Sequence, residues 1–278
     1  MAGVSSHRIE GVAAELPYGE WAGAEPAIVL IHGIFATHRA LSALARELSP
    51  ARRVVAFDLR GRGRAPLDGP FGIDRHADDV WHAVAALGLT RPLLCGHSLG
   101  AFVASVAAGT RPEAASGLAL LDGGLWSPAP VPVELVHALF AEDRARLGKT
   151  FADVAEYAAD RGIEPTAERL DELAYELADS GDRLSPVMPA RAFDEDVASI
   201  AADTRRNGLL AAAGCPSLVI RALRGVGGDP LAQMVDDVTR DAARTAVPAL
   251  RVFDVDATHG QLVRAPYAAR VASEILAL

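Results

Sequence analysis

Short apolar runs alternate along the chain with stretches in which apolar residues recur at helical spacing. The first pattern predicts buried strands and the second predicts amphipathic helices. The predicted strands are Ala27–Ile31, Arg53–Phe57, Leu93–Cys95, Ser116–Leu121, Ser217–Ile220 and Leu250–Phe253. The predicted helices are Thr37–Leu48, Ile73–Leu87, Leu99–Ala108 and Pro266–Ala277. This alternation is typical of βαβ units, so we expect an α/β fold with a mostly parallel central sheet flanked by helices.

The stretch between Trp126 and Ala213 breaks this alternation. It holds alanine-rich helical patterns separated by prolines, among them Leu170-Leu173-Leu177, and none of its runs predicts a strand. Its length is far greater than that of an ordinary crossover connection. We therefore expect residues 126–213 to form a helical cap inserted into a core made of residues 1–125 and 214–278.

Composition and charge narrow the function classes. The chain of 278 residues carries a formal net charge of −9, which repels phosphate backbones and anionic lipids and so disfavours nucleic-acid and membrane partners. Its two cysteines, Cys95 and Cys215, are too few for a disulfide framework. The first residues lack a secretory pattern and the apolar runs are too short to span a bilayer, so we expect a cytoplasmic protein. A homodimer is compatible with these properties.

The run Gly96-His97-Ser98-Leu99-Gly100 lies between a predicted strand and a predicted helix. A sharp strand-to-helix turn pushes the serine out of the sheet, and the two glycines leave room for the neighbouring chain. The N-terminus of the following helix favours developing negative charge. In this context the run predicts that Ser98 is a nucleophile. The alternative is a serine that caps the helix on a glycine-flanked turn.

A nucleophilic serine needs a base and donors for the oxyanion. Residues 32–35, His-Gly-Ile-Phe, directly follow a buried strand, and Gly33 lets the chain turn so that the backbone N–H of Ile34 faces Ser98. The second donor is expected from the N–H of Leu99, directly after the nucleophile. His259 lies between the last strand and the last helix, where functional groups cluster in such sheets, and is the predicted base.

These motifs together resemble those of α/β-hydrolase-fold enzymes with a helical cap. The pair His32-Gly33 resembles the oxyanion loop of that family, Gly96–Gly100 resembles its nucleophile elbow, and the loop before Gly260 resembles its histidine loop. Residues Phe57–Arg64 resemble its D-x-R-G-x-G-x-S loop, with Ala65 where serine is usual. The resemblance covers residues 27–122 and 214 to the end, and the middle matches only in position.

The resemblance leaves two candidates for the acid that orients His259. The family most often places this acid in the loop after the strand that opens the second half, here Ser217 to Arg221, which indicates Asp229. A minority of members place it one strand earlier, directly before the cap, which indicates Asp122. Either carboxylate could stabilise the imidazolium form of the base. We favour Asp229 slightly, although the glycine-rich spacing before it differs from that of the family.

The resemblance implies a cofactor-free serine hydrolase that acts on a small molecule through an acyl-enzyme. We expect it to cleave a carboxylic ester or lactone of a small to medium apolar compound, with a pocket lined by His32, Gly33, Phe35, His97 and Trp126. His32 is expected to be mainly structural. The sequence has no His-Glu-x-x-His or paired-cysteine motif, so we predict no metal. The alternatives are a C–C bond hydrolase or a perhydrolase on the same residues, and a ligand-binding protein without catalysis.

Overall fold

An eight-stranded sheet organises the chain in the computed structural model, which describes residues 8–13 and 15–278. The expectation that the first residues lack a secretory signal concerns residues 1–7, which lie outside the described residues. The strands of the sheet are β1 (Arg8–Ala13), β2 (Leu16–Trp21), β3 (Ile28–Ile31), β4 (Val54–Phe57), β5 (Leu93–His97), β6 (Gly117–Leu121), β9 (Ser217–Ala222) and β10 (Arg251–Val255). The two remaining strands, β7 (Leu177–Ser180) and β8 (Arg183–Pro186), form a separate hairpin.

The order of the large sheet is β1-β2-β4-β3-β5-β6-β9-β10. β1 and β2 pair antiparallel, as do β2 and β4, and the other neighbours pair parallel. Strands β3, β4, β5, β6 and β9 are buried along their whole length, as expected for a parallel sheet covered on both faces. The predicted α/β fold with a mostly parallel sheet is confirmed.

Helices cover both faces of this sheet. On one face α1 (Ser42–Leu48) packs with α11 (Tyr267–Leu276), and on the other α2 (Ile73–Ala86) packs with α3 (Leu99–Thr110). Strand β3 shows the two layers, because its alternate side chains enter different clusters of apolar residues. Helix α10 (Asp237–Ala246) precedes β10. None of the described helices is long and apolar enough to cross a membrane.

The N-terminal hairpin of β1 and β2 was not predicted. Its sequences, RIEGVA and LPYGEW, mix glycine, proline and charged residues with apolar ones, and they lack a clean alternation. Glycine and proline are depleted in strands, which weakens the pattern of both. The predicted helix Thr37–Leu48 is also divided, with a 3₁₀ turn at His38–Leu41 before α1.

The long segment between β6 and β9 contains both helices and a hairpin. Its helices are α4 (Val133–Leu139), α5 (Ala141–Arg146), α6 (Val154–Asp160), α7 (Ala167–Ala174), α8 (Ala190–Ala202) and α9 (Asn207–Ala212). Helices α6 and α7 begin where the side chains of Asp153 and Thr166 accept backbone hydrogen bonds. Helix α9 packs against α3. Residues 126–213 as a separate cap stay a prediction.

The expectation that this segment is purely helical is wrong. Leu177, placed in a helical pattern by its spacing, begins β7, which pairs antiparallel with β8. The two strands are joined by Gly181-Asp182, and Gly181 has a φ of 72°, a conformation that glycine adopts without strain. A glycine–aspartate pair between two short runs is a hairpin signal, and the leucine spacing concealed it.

Candidate active site

Ser98 lies in a strained turn between β5 and α3, at the carboxyl edge of the sheet. Its φ and ψ are 56° and −120°, a backbone conformation that non-glycine residues rarely adopt. A Cβ on Gly96 would lie 2.0 Å from the oxygen of Gly100, and one on Gly100 would lie 2.1 Å from the oxygen of Ile31. Both glycines are therefore required by the close crossing of this turn with its neighbours.

The alternative role of Ser98 as a helix cap does not fit this turn. Ser98 occupies the cap position of α3, yet its side chain makes no capping hydrogen bond. Its backbone is held instead, because its N–H donates to Leu121 at 3.0 Å and its carbonyl accepts from Ala101 at 2.9 Å. The hydroxyl of Ser98 is therefore not used to cap α3.

Two further glycines bring neighbouring loops against Ser98. A Cβ on Gly33, in the loop after β3, would lie 3.2 Å from the Cβ of Ser98. A Cβ on Gly123, in the loop after β6, would lie 2.6 Å from the carbonyl oxygen of Ser98. Sequence reasoning missed Gly123, although its position directly after Asp122 at a strand end was a usable signal.

The two expected oxyanion donors are free. Leu99 is the first residue of α3, and Ile34 lies in the turn closed by the Ala36 N–H on the Gly33 carbonyl at 3.3 Å. Within the described residues, neither the Ile34 nor the Leu99 N–H donates a hydrogen bond. Unpaired N–H groups beside a serine can accept a developing negative charge.

His32 holds the peptide that carries one of these donors. Its Nδ1–H donates to the Gly33 carbonyl at 2.8 Å, and its Nε2 accepts from the Leu59 N–H at 2.9 Å. These partners require a neutral ring, and burial lowers the pKa of His32 to about 4. Because the Gly33 carbonyl and the Ile34 N–H belong to one planar peptide, His32 fixes the direction of that N–H.

His259 is paired with Asp122. Its Nδ1 lies 2.7 Å from Oδ2 of Asp122, and its backbone N–H donates to Gly225 at 2.9 Å. Asp122 is fully buried, and its Oδ1 accepts from the Ala222 N–H at 3.2 Å. With Nδ1–H donated to the carboxylate, Nε2 is the ring atom left to take a proton.

The preference for Asp229 is corrected by this geometry. Oδ1 of Asp229 accepts from the Leu231 N–H at 2.9 Å, and among the described residues no hydrogen bond joins Asp229 to His259. The loop after β9 meets the histidine loop through Gly225, whose carbonyl accepts from His259. The loop then turns in a 3₁₀ segment at Val226–Gly228 before Asp229 is reached. Asp122 is nearer because it directly ends β6, which pairs with β9.

A second imidazole lies beside the first. The rings of His97 and His259 are 4.6 Å apart between centroids, and Nε2 of His97 donates to the carbonyl of His259 at 3.0 Å. Burial, with the nearby His259 as a smaller cause, lowers the pKa of His97 to about 3. His97 is therefore neutral and supports the histidine loop.

The remaining pocket residues are divided between two cavities. Trp126 lines a cavity of about 440 Å³ together with apolar residues of α4 and α8 and with Phe102, one helical turn after Ser98. Phe35 lines a smaller cavity of about 30 Å³ and stacks on Phe193 at 5.2 Å. His32 is fully buried and lines neither of these two cavities, and its place in the substrate pocket stays a prediction. Gly33 lies against Ser98, and His97 contacts His259.

In the described part of the chain, no group of histidine, cysteine or acidic residues is arranged to hold a metal ion.

A parallel sheet with a strained serine between strand and helix, and a histidine–aspartate pair on neighbouring loops, defines the class of α/β hydrolases. The chain belongs to the alpha/beta hydrolase fold family, whose model matches residues 26–263. The family expected from the motifs is thereby confirmed.

Named relatives and a solved structure agree with this family. The "Putative carbamate hydrolase RutD" of Klebsiella pneumoniae strain 342 is 31% identical over 73% of this chain and 74% of that relative. The mouse (Mus musculus) "sn-1-specific diacylglycerol lipase ABHD11" is 31% identical over 35% of this chain and 32% of the lipase. The crystal structure of E-2-(acetamidomethylene)succinate hydrolase superposes with a TM-score of 0.81 at 20% identity, covering 98% of this chain and 100% of that one.

Proposed function

We propose that this protein is a serine hydrolase in which Ser98 is the nucleophile, His259 the base and Asp122 the acid. The observation that carries the proposal is the 2.7 Å contact between the buried Asp122 carboxylate and Nδ1 of His259, on a loop beside a serine with a strained backbone and no capping bond. Acyl transfer by a serine requires these three groups: a nucleophile, a base that takes its proton, and an acid that orients the base.

The reaction has two halves. Nε2 of His259 takes the proton of Ser98 as its oxygen attacks the substrate carbonyl, and the N–H groups of Ile34 and Leu99 bind the oxyanion. His259 then protonates the leaving group, and the carbon–oxygen bond to it breaks. In the second half His259 activates a water molecule, which releases the acid and restores Ser98.

The substrate we propose is a carboxylic ester or lactone with an apolar acyl part. Support comes from the cavity of about 440 Å³, which is lined mainly by Leu, Val, Ile, Ala and aromatic side chains. A cavity of that size is in the range that encloses a small-molecule ligand. Because two of the proteins compared above carry the names of a carbamate hydrolase and an acetamidomethylene-succinate hydrolase, carbamates and amides belong in the substrate panel.

The test is covalent labelling with a fluorophosphonate followed by peptide mass spectrometry. We expect one adduct, on Ser98, and none on a folded Ser98→Ala variant. Turnover of p-nitrophenyl esters, lactones, aryl carbamates and anilides by the same preparations then identifies the bond cleaved. A wild-type protein that binds such compounds but is neither labelled nor active is a ligand-binding protein and contradicts the proposal.

A further inference from the structure

A buried arginine contacts the oxyanion turn at a different carbonyl from the one that His32 contacts. Arg62 is 1% exposed, and its Nε donates to the carbonyl of Ile34 at 3.0 Å. That carbonyl and the N–H expected to bind the oxyanion belong to the same residue. Arg62 therefore fixes the second peptide of the turn, while His32 fixes the first.

The charge of Arg62 is balanced by a side chain from the long segment between β6 and β9. Its Nη2 lies 2.6 Å from Oδ2 of Asp196, in α8, and its Nη1 donates to the carbonyl of Arg60 at 3.0 Å. Asp196 is fully buried, so each charge depends on the other. The guanidinium makes these three contacts in fixed directions because its N–H donors lie in one rigid plane.

Asp196 is itself held by α2 and the loop before it. Its Oδ1 accepts from the Gly72 N–H at 2.7 Å and lies 2.9 Å from Nε2 of the fully buried His76. Burial raises the pKa of Asp196, but Arg62 and His76 outweigh that effect and lower it to about 2. The carboxylate is thus a fixed anchor between the core of the protein and α8.

We infer that Arg62 is a positioning residue for the oxyanion turn and that Asp196 of α8 holds it in place. The inference rests on the proposed function, since it concerns the donor at Ile34. It gives the segment between β6 and β9 a part in catalysis: a carboxylate of α8 completes the support of the oxyanion site. Displacement of α8 would release Arg62 and, through it, the turn.

The chain contains a matched control two residues away. Arg60 lies in the same loop and pairs with Asp79 at 3.0 and 3.1 Å, but none of its side-chain hydrogen bonds among the described residues reaches the oxyanion turn. Replacing either arginine by lysine keeps the positive charge and removes the planar donors. Only Arg62→Lys should therefore free the Ile34 carbonyl.

The experiment compares Arg62→Lys with Arg60→Lys on an ester that the wild type hydrolyses. We expect kcat to fall about 10- to 100-fold in Arg62→Lys, since a misplaced donor loses part of the 10²–10³ that a deleted donor loses. KM should stay within about threefold of wild type because ground-state binding does not use the oxyanion site. Arg60→Lys should keep kcat within about threefold.

A tetrahedral inhibitor separates positioning from loss of structure. An arylboronic acid, whose serine adduct places a negative oxygen in the oxyanion site, should bind more weakly to Arg62→Lys by the same factor as kcat falls. Asp196→Asn should act in the same direction, and it serves as the test if Arg62→Lys does not fold. In the double variant the losses should not multiply, because both substitutions release one contact.

Two results would overturn this inference, and a third would overturn the proposed function on which it rests. A folded Arg62→Lys with wild-type kcat, or with a loss confined to KM, shows that Arg62 does not position the donor. Equal losses in Arg62→Lys and Arg60→Lys show a general effect of the loop. A wild-type protein that neither binds the boronic acid nor is labelled at Ser98 overturns the proposed function itself.

Discussion

The loops around Ser98 and the segment between β6 and β9 are held by different forces. At Ser98 the backbone itself is packed so closely that Gly96, Gly100 and Gly123 admit no side chain. In the long segment every helix except α8 has eight residues or fewer, α4 buries none of its residues, and β7 buries only its first. That segment is tied down by ion pairs such as Arg146–Asp160 and Arg264–Glu172.

This difference separates the reaction from the choice of substrate. Backbone sterics fix atoms to fractions of an ångström, which the nucleophile and its oxyanion donors need. A helix such as α4, which buries none of its residues, can be replaced or shifted at lower cost because it contributes little buried apolar surface. We therefore expect large effects from substitutions around Ser98 and smaller, substrate-dependent effects from substitutions of the residues of α4 and α8 that line the cavity of about 440 Å³.

The largest effect we predict distinguishes Asp122, which directly follows β6, from Asp229, which lies in the loop after β9. Asp122→Asn should lower kcat by about 10⁴-fold, because an amide leaves the wrong proton on His259. Asp229→Asn should leave kcat within about threefold, since Oδ1 of either side chain can accept from the Leu231 N–H. Steady-state kinetics on one ester measures both. A larger loss in Asp229→Asn than in Asp122→Asn would show that Asp122 does not orient His259.

The next effect concerns the histidines buried around the site. His32 and His97 have pKa values lowered to about 4 and about 3 by burial, so both are neutral when folded. The unfolded chain binds their protons near pH 6.5, so stability is full above that pH and falls as the pH decreases. Each histidine should cost about 2 kcal/mol of unfolding free energy between pH 7.5 and pH 5.

Urea denaturation at pH 7.5, 6 and 5 measures this dependence. Removing one buried imidazole in His97→Gln should make the pH dependence shallower than that of wild type. His82→Gln, at an exposed position of α2, is the control and should change the slope less than His97→Gln does. Equal slopes in all three proteins would contradict the lowered pKa of His97.

The smallest effect we predict lies in the long segment and depends on substrate. Ala201 lines the cavity of about 440 Å³, whereas Ala202, the next residue of α8, is exposed and does not. Ala201→Trp should lower kcat/KM for p-nitrophenyl octanoate about tenfold relative to p-nitrophenyl acetate, because the indole fills space that the acyl chain needs. Ala202→Trp should leave the ratio of the two esters unchanged. A change of equal size in both variants would mean that the acyl chain binds elsewhere.

The same contrast explains how much the sequence predicted. Ser98, Ile34, Leu99 and His259 could be proposed from the sequence because backbone packing demands glycine and a strand–helix boundary, which short motifs record. The parallel strands were found because burial on both faces leaves unbroken apolar runs. The hairpin β7–β8 was missed because Leu177 continued a helical spacing up to the turn at Gly181.

Asp122 as the acid and Arg62 as a positioning residue could not be identified without the distances between loops. Asp122 and Asp229 both follow strands that end at the same edge of the sheet, so chain order alone admits either. The contact of Arg62 with Asp196 joins residues far apart in sequence, and no local pattern marks it. Such pairs become visible only when the register of neighbouring loops is known.

The most direct test of Ser98 as the nucleophile is to trap its acyl group. Mixing the protein with p-nitrophenyl trimethylacetate and quenching in acid should yield a burst of p-nitrophenol stoichiometric with the protein, because a hindered acyl group leaves slowly. Peptide mass spectrometry should place the trimethylacetyl group on Ser98, and a folded Ser98→Ala should show neither burst nor adduct. Turnover by Ser98→Ala at the wild-type rate, or an acyl group on another residue, would contradict the account.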